Sequence, residues 1–308
     1  MLIKSADDKS RRLKLLEELQ YSPVLEQKQK DWLYKELKNL RTGIQGEKDA
    51  AYYIDTYYRD SQNWAVLHDL RLKVDGEVAQ IDHLLVGRAF MLVLETKNFN
   101  GNVSINEYGE FSVTYSNGET YGISSPLEQS KRHERLLRKL LDQLGIQARL
   151  GGDMEIHHVV MFHPSAVIQR PDSKKFNTNN IIKADSLPTW HDQFVDKEIG
   201  ILGALARVHK IRSSETVRGW AEKIARRHEP EDLLRLPDFM APKPLASPTN
   251  RAEKPNASDS MVSTRATSQP ACATCAAPLS AKVTNYCRSN PKRFDGKLGT
   301  VSEDGQAL

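Results

Sequence analysis

Residues 80–97, QIDHLLVGRAFMLVLETK, constrain the fold more than any other part of this chain. They read as two apolar strands joined by a tight turn, yet they carry Asp82, Glu95 and Lys97. Water-excluded strands seldom hold charge unless it is paired or binds a metal. Glu95 and Lys97 are two apart, so both point to one face of their strand. A turn at Arg88-Ala89 would set Asp82 opposite Glu95. A turn at Gly87-Arg88 would set Asp82 against Val93, diagonal to Glu95. Either way the three groups share a face. Taken alone, Glu95 and Lys97 would be an ordinary ion pair.

The flanking sequence supplies a core for this hairpin. Leu13, Leu16 and Leu19, then Leu25, Leu33, Leu37 and Leu40 beyond Ser22-Pro23, mark residues 1–40 as a helical N-terminal extension. Thr42 with Gln45 three residues on has the form of a capping box and predicts a second helix. The apolar stripe of that helix is Ile44, Ala51, Ile54 and Tyr58, with Glu47 on it and Gly43 and Gly46 open to close approach. Strands are expected at 64–72 and 77–86 around Asp75-Gly76, at 90–97, and in a smaller polar hairpin, 102–106 and 110–115. Ser125-Pro126 opens a long helix with Leu136, Leu137, Leu140, Leu141 and Leu144 inward and Gly145 beyond its end. A strand at 156–162 completes a helix–three strands–helix–strand succession, which indicates an α/β core with a mixed sheet over 41–165. Residues 166–240 read as an accessory α/β segment, with a short strand at Ile181-Ile182 and a helix over 199–228. Residues 241–270, rich in Pro, Ser, Thr and Ala, read as a disordered linker. A cysteine-bearing tail occupies 271–308.

Composition narrows the setting. The 308 residues are 39% hydrophobic and 27% charged, with a net charge of +4, compatible with nucleic acid without demanding it. No apolar run reaches the ~18–20 residues of a membrane helix. The start has no secretory h-region, and three cysteines near the C-terminus make no disulfide framework, so the cytoplasm is the expected location.

Two adjacent carboxylates repel unless a cation sits between them. A hard divalent ion with oxygen ligands suits Asp82, Glu95, the Thr96 carbonyl and water. Such an ion promotes hydrolysis of a phosphodiester, with Lys97 orienting the attacking water or neutralising developing charge. Glu47 could serve a second metal or the water from the helix side. Gln129, seven residues before Leu136, faces inward and could hold the nucleophile or Lys97.

Gly43-Ile44-Gln45-Gly46-Glu47, Ile81-Asp82-His83-Leu84-Leu85-Val86, Leu94-Glu95-Thr96-Lys97-Asn98-Phe99-Asn100-Gly101 and Ser125-Pro126-Leu127-Glu128-Gln129 together resemble the nuclease-related domain (NERD) of the PD-(D/E)xK nuclease superfamily. The resemblance covers about residues 41–163. It implies a restriction-endonuclease-like fold and Mg-dependent hydrolysis of DNA in processing, repair or defence, with RNA not excluded. It places the helix acid at Glu47, the metal-binding acids at Asp82 and Glu95, the lysine at Lys97 and the helix glutamine at Gln129. Ile81 stands where the superfamily pattern has proline, which leaves the carboxylate chemistry intact.

Other features carry less. Cys272, Cys275 and Cys287 resemble part of a zinc ribbon, but a closed zinc site needs four ligands and no cysteine or histidine follows Cys287. The ribbon is therefore incomplete, and the tail either binds Zn²⁺ or is a degenerate or non-folding one. Lys131, Arg132, Arg135, Arg138 and Lys139 make the long helix basic, as a solvated face or as a surface for the phosphate backbone. His157, His158 and His163 read as structural. The alternative to a nuclease is a module that binds nucleic acid or a protein partner on the same fold without cleaving.

Overall fold

The computed structural model describes residues 1–99, 101–148, 152–199 and 211–241. Leu2–Lys4 form a short strand (β1), Ser10–Gln20 a helix (α1) and Gln27–Tyr58 a second, 32-residue helix (α2). The N-terminal extension is thus not wholly helical: three residues are too few to show a period, yet β1 adds a parallel edge to the sheet. α2 begins where the Gln29 side chain accepts the Glu26 N–H at 2.9 Å. The helix start predicted at Thr42 is not there, because α2 runs straight through it. The Thr42 hydroxyl instead donates to the Lys38 carbonyl at 2.9 Å, as a threonine inside a helix does. The buried stripe accordingly follows Leu33, Leu37, Gly46, Ala50, Ile54 and Tyr58, while Ile44 and Ala51 are only partly covered.

Trp64–Val74 (β2) and Glu77–Gly87 (β3) meet at Asp75 and Gly76, whose φ of 51° and 80° are the two positive values a tight hairpin turn requires. Phe90–Lys97 (β4) follows, paired through His83↔Leu94 and Leu84↔Val93, so the turn falls at Arg88-Ala89. Gly101–Ile105 (β5), Phe111–Tyr115 (β6) and Thr120–Ile123 (β7) belong to a second, smaller sheet of four strands, two more than the expected hairpin. Pro126–Gln143 (α3) starts at Ser125, whose side chain accepts from Glu128 N–H, and leads to Gly145 at φ 65°. Glu155–Phe162 (β8) returns to the main sheet, which runs β1-β2-β3-β4-β8 and ends on Ile181–Lys183 (β10). Ile168–Gln169 (β9) pairs with β5.

Two helices complete the faces, Leu187–Ile199 (α4) and Ser214–Ala225 (α5). The single helix expected over 199–228 is therefore corrected on both sides: α4 precedes it, and Ser213 caps a fresh start by accepting from Thr216 N–H. The segment 166–240 supplies β9 and β10 to the two sheets and α4 and α5 to the main sheet's faces. Residues Met1–Pro237 form one unit and Asp238–Leu308 another, of which a single turn, Asp238–Met240, is described. The expected linker at 241–270 lies outside the described residues except for Ala241, and the tail at 271–308, with Cys272, Cys275 and Cys287, lies wholly outside them. No helix among the described residues is long and apolar enough to cross a membrane.

The main sheet is a mixed α/β layer with α3 and α5 on one face and α2 and α4 on the other. β2 and β3 trade faces midway. Leu67 and Leu84 lie in the α3-side core, and so do Leu70 and Ile81 two register steps past His68 and His83. Strict alternation would have placed Leu70 with His68. The switch is made at Asp69, which takes φ 51°, a left-handed value that aspartate tolerates better than most residues. Asp82 lies directly across from it.

Candidate active site

At the Asp69–Asp82 step the β3–β4 ladder gives way to side chains. His83↔Leu94 is its last backbone pair, and the Asp82 carboxylate then accepts the Thr96 N–H at 2.7 Å. Glu95 lies near enough to Asp82 for its charge to raise the Asp82 pKa. Glu95 is 1% exposed and is held on one oxygen by Lys97 at 2.6 Å. Lys97 also donates to the Gln129 side-chain oxygen at 3.1 Å, so α3 fixes the lysine from the far side. Glu47 reaches the same cleft from α2, where its carboxylate accepts from Lys9 at 2.9 Å. The structure thus brings Glu47, Asp82, Glu95, Lys97 and Gln129 to one cleft of about 1050 Å³.

The helix carrying Glu47 comes this close because of Gly46. A Cβ there would lie 2.5 Å from the Asn98 Cβ, nearer than two such carbons approach. Asn98 in turn donates to the Thr42 carbonyl at 3.1 Å and ties β4's end to α2. Behind the site, His68 and His83 face one another at 2.7 Å between Nδ1 atoms. Asp55 lies 3.1 Å from His68, and the Thr96 hydroxyl 3.1 Å from His83. Burial holds both imidazoles below their ordinary pKa. A neutral pair therefore braces β3 beside Asp82, and the Thr96 hydroxyl links it to β4 beside Glu95.

Burial dominates the electrostatics of the two strand acids. Burial, then the Glu95 and Glu47 carboxylates, hold Asp82 well above the usual carboxylate range against the opposing Thr96 N–H and Lys97. Burial raises Glu95 too, although Lys97 pulls the other way. The second oxygen of Glu95, Oε2, is buried without a hydrogen-bond partner. A buried, unpartnered carboxylate oxygen is costly, and a cation would satisfy it. Among the described residues no three His, Cys, Asp or Glu side chains meet at metal-ligand spacing. The donor set nevertheless fits magnesium or manganese, since a hard ion of this size needs only one or two carboxylates and keeps water elsewhere.

Two neighbours escaped the sequence reading. His133 lies one helical turn after Gln129, and its buried Nδ1 is 3.6 Å from Glu95 Oε2, too far for a hydrogen bond. Burial, then the charges of Arg132, Lys97 and His158, push it down to about 4. The four-residue spacing from Gln129 was the available signal. Lys9 precedes α1, and nothing in its surroundings pointed to Glu47. Burial opposes its charge, but Glu47 and Asp69 outweigh burial and raise its pKa.

The basic face of α3 is organised differently. Lys131 pairs with Glu128 at 2.7 Å, Arg138 with Glu134 at 2.5 Å, and Lys139 with Glu77 at 2.8 Å, while Arg135 also meets Glu77. Arg132 is exposed and near enough to Glu95 to lower its pKa. Of the three histidines read as structural, His158 lies 2.7 Å from Ser130 and 2.5 Å from Glu134. His157 lies 2.9 Å from Glu155, and His163 bonds Ser165 at 2.7 Å.

Residues 42–163 match the family model of the nuclease-related domain. Over that span the chain is similar to NERD domains. The matched span opens at the middle of α2, just before Glu47, and closes after β8, so it encloses every acid, the lysine and the glutamine of the cleft. Lys9 lies outside it. No curated protein and no solved structure matches the chain significantly.

Proposed function

We propose that this protein is a metal-dependent nuclease that hydrolyses phosphodiester bonds of DNA at the Asp82–Glu95–Lys97 cleft. The observation that carries this reading is the buried Glu95: one oxygen on Lys97, the other without a partner, near an Asp82 that burial and neighbouring acids push toward neutrality. A module that only binds nucleic acid has no need to hold two repelling acids together in a cleft. Asp82, Glu95 and the Thr96 carbonyl would hold the ion. A bound Mg²⁺ or Mn²⁺ supplies Lewis-acid polarisation of the phosphate and a more acidic water. Lys97, fixed by Glu95 and Gln129, is placed to orient the attacking water and to stabilise charge as the P–O bond to the leaving group breaks. Gln129 keeps the ammonium from collapsing wholly onto Glu95. RNA offers the same phosphodiester, and strand structure is decided by surfaces beyond this centre.

The test is cleavage of labelled single-stranded DNA, duplex DNA and RNA with Mg²⁺ or Mn²⁺, against Glu95→Ala and Lys97→Ala. Activity that survives both substitutions, or that appears on no substrate, would overturn the reading and leave a binding module.

A further inference from the structure

The acids of this site are not equally free. Glu95 has a buried oxygen with no partner, whereas Glu47 is already paired with a cation of the protein's own. Lys9 Nζ lies 2.9 Å from Glu47 Oε2 and 3.3 Å from Asp69 Oδ2, and its side chain is 14% exposed. Asp69 is fully engaged as well. Its Oδ1 accepts from Gln80 at 2.8 Å, and its Oδ2 also accepts the Asp7 N–H at 3.2 Å.

The segment that delivers Lys9 is built to do so. Lys4 Nζ donates to the carbonyls of His68 at 3.1 Å and Asp69 at 2.9 Å, which pins the chain beside the face switch of β2. The left-handed φ of Asp69 aims its carboxylate at that segment and not into a core. Two-metal hydrolytic sites hold their ions roughly 3.5–4 Å apart, bridged and flanked by several carboxylates. Here the acids available for a second ion, Glu47 with Asp69 behind it, already surround an ammonium.

We infer that this site takes a single divalent ion, at Asp82 and Glu95, because the Lys9 ammonium fills the position a second ion would need at Glu47. The inference rests on the metal-site reading of Asp82 and Glu95. It adds Lys9, from outside the NERD match, as a positioning residue. Lys9 leaves Glu47 to orient water and not to ligate.

The experiment is Mn²⁺ titration of the full chain by calorimetry, with electron paramagnetic resonance of the bound ion. The wild type should bind one ion with an uncoupled manganese spectrum, and Lys9→Arg should do the same. Lys9→Met should admit a second, weaker ion and the broadened spectrum of a coupled pair. Glu47→Gln, which asks less of the fold, should keep one ion with affinity reduced by about 10–100-fold at most, the scale of an outer-shell loss. Two ions in the wild type would overturn the inference while sparing the metal site. So would an unchanged single-ion spectrum in a folded Lys9→Met variant. Loss of the ion in Glu47→Gln would make Glu47 a ligand and overturn it too. No ion bound by any variant would overturn both this inference and the metal-site reading beneath it.

Discussion

The α3 surface and the end of the β3–β4 hairpin use their charges in opposite ways. On α3, Lys131, Arg135, Arg138 and Lys139 each meet one of the protein's own carboxylates near solvent, where such pairs contribute about 0–1 kcal/mol. At the hairpin end, Glu95 is 1% exposed, and Asp82 and Glu95 are raised by burial and by neighbouring acids. The basic stripe is more conspicuous in the sequence, yet its charge is largely satisfied within the fold. The hairpin has fewer charges and an unsatisfied one. Placement, and not density, marks the candidate centre.

The largest break in that contrast comes from the centre itself. Lys97→Ala and Glu95→Ala should each lower Mg²⁺-dependent cleavage by about 10²–10³-fold, the cost of removing one preorganised group that stabilises developing charge. Gln129→Ala should follow with a smaller loss, falling on kcat more than KM because Gln129 touches Lys97 and orients it. Equal cleavage by wild type and Lys97→Ala would remove the distinction between the two regions.

Gly46→Ala tests how α2 reaches the site. The added methyl meets the Asn98 Cβ at 2.5 Å, so helix or strand end must shift, at about 1–3 kcal/mol for an overpacked contact. Gly43→Ala, where a Cβ would meet nothing within 4 Å, is the control and should leave stability unchanged or raise it. A melting temperature equally insensitive to both changes would mean that close packing does not hold Glu47 in place.

Much of this arrangement was legible in the sequence, for identifiable reasons. A period of two and a strong turn at Asp75-Gly76 set both long strands, and proline and glycine punctuation framed α3. The hairpin register, and with it Asp82 near Glu95, followed from one choice between two turns. What was hidden depends on contacts between distant segments. β1 is three residues long and becomes a strand only against β2. The Thr42–Gln45 pattern looked like a cap because side-chain chemistry alone cannot say whether the preceding turn is already helical. Lys9 is 38 residues from Glu47, and its role depends on Asp69 turning left-handed, which no local pattern announces.

Asp82→Asn makes the same comparison in stability instead of rate. The folded pKa of Asp82 is raised above its unfolded value, chiefly by burial and then by Glu95 and Glu47. At neutral pH the folded state therefore carries a charge that the unfolded chain accommodates more cheaply. As pH falls through the raised folded pKa, the fold takes up a proton before the unfolded chain does, and the cost fades; near the unfolded value of about 4 it is gone. Asparagine keeps an oxygen for the Thr96 N–H and removes the charge. In EDTA at pH 7.5 the variant should be more stable by about 0.5–2 kcal/mol, a typical gain from relieving an unfavourable charge. The advantage should shrink on acidification toward pH 4 and be offset by Mg²⁺ or Mn²⁺, which stabilises only the chain that binds it. On α3, Lys131→Gln should move stability by under about 1 kcal/mol at any of these conditions, since its pair with Glu128 is exposed on both sides. Thermal melts across pH, with and without the ion, check both. A less stable Asp82→Asn at pH 7.5 in EDTA would mean that the carboxylate is held as an ordinary structural ion, and that the hairpin end differs from α3 in burial alone.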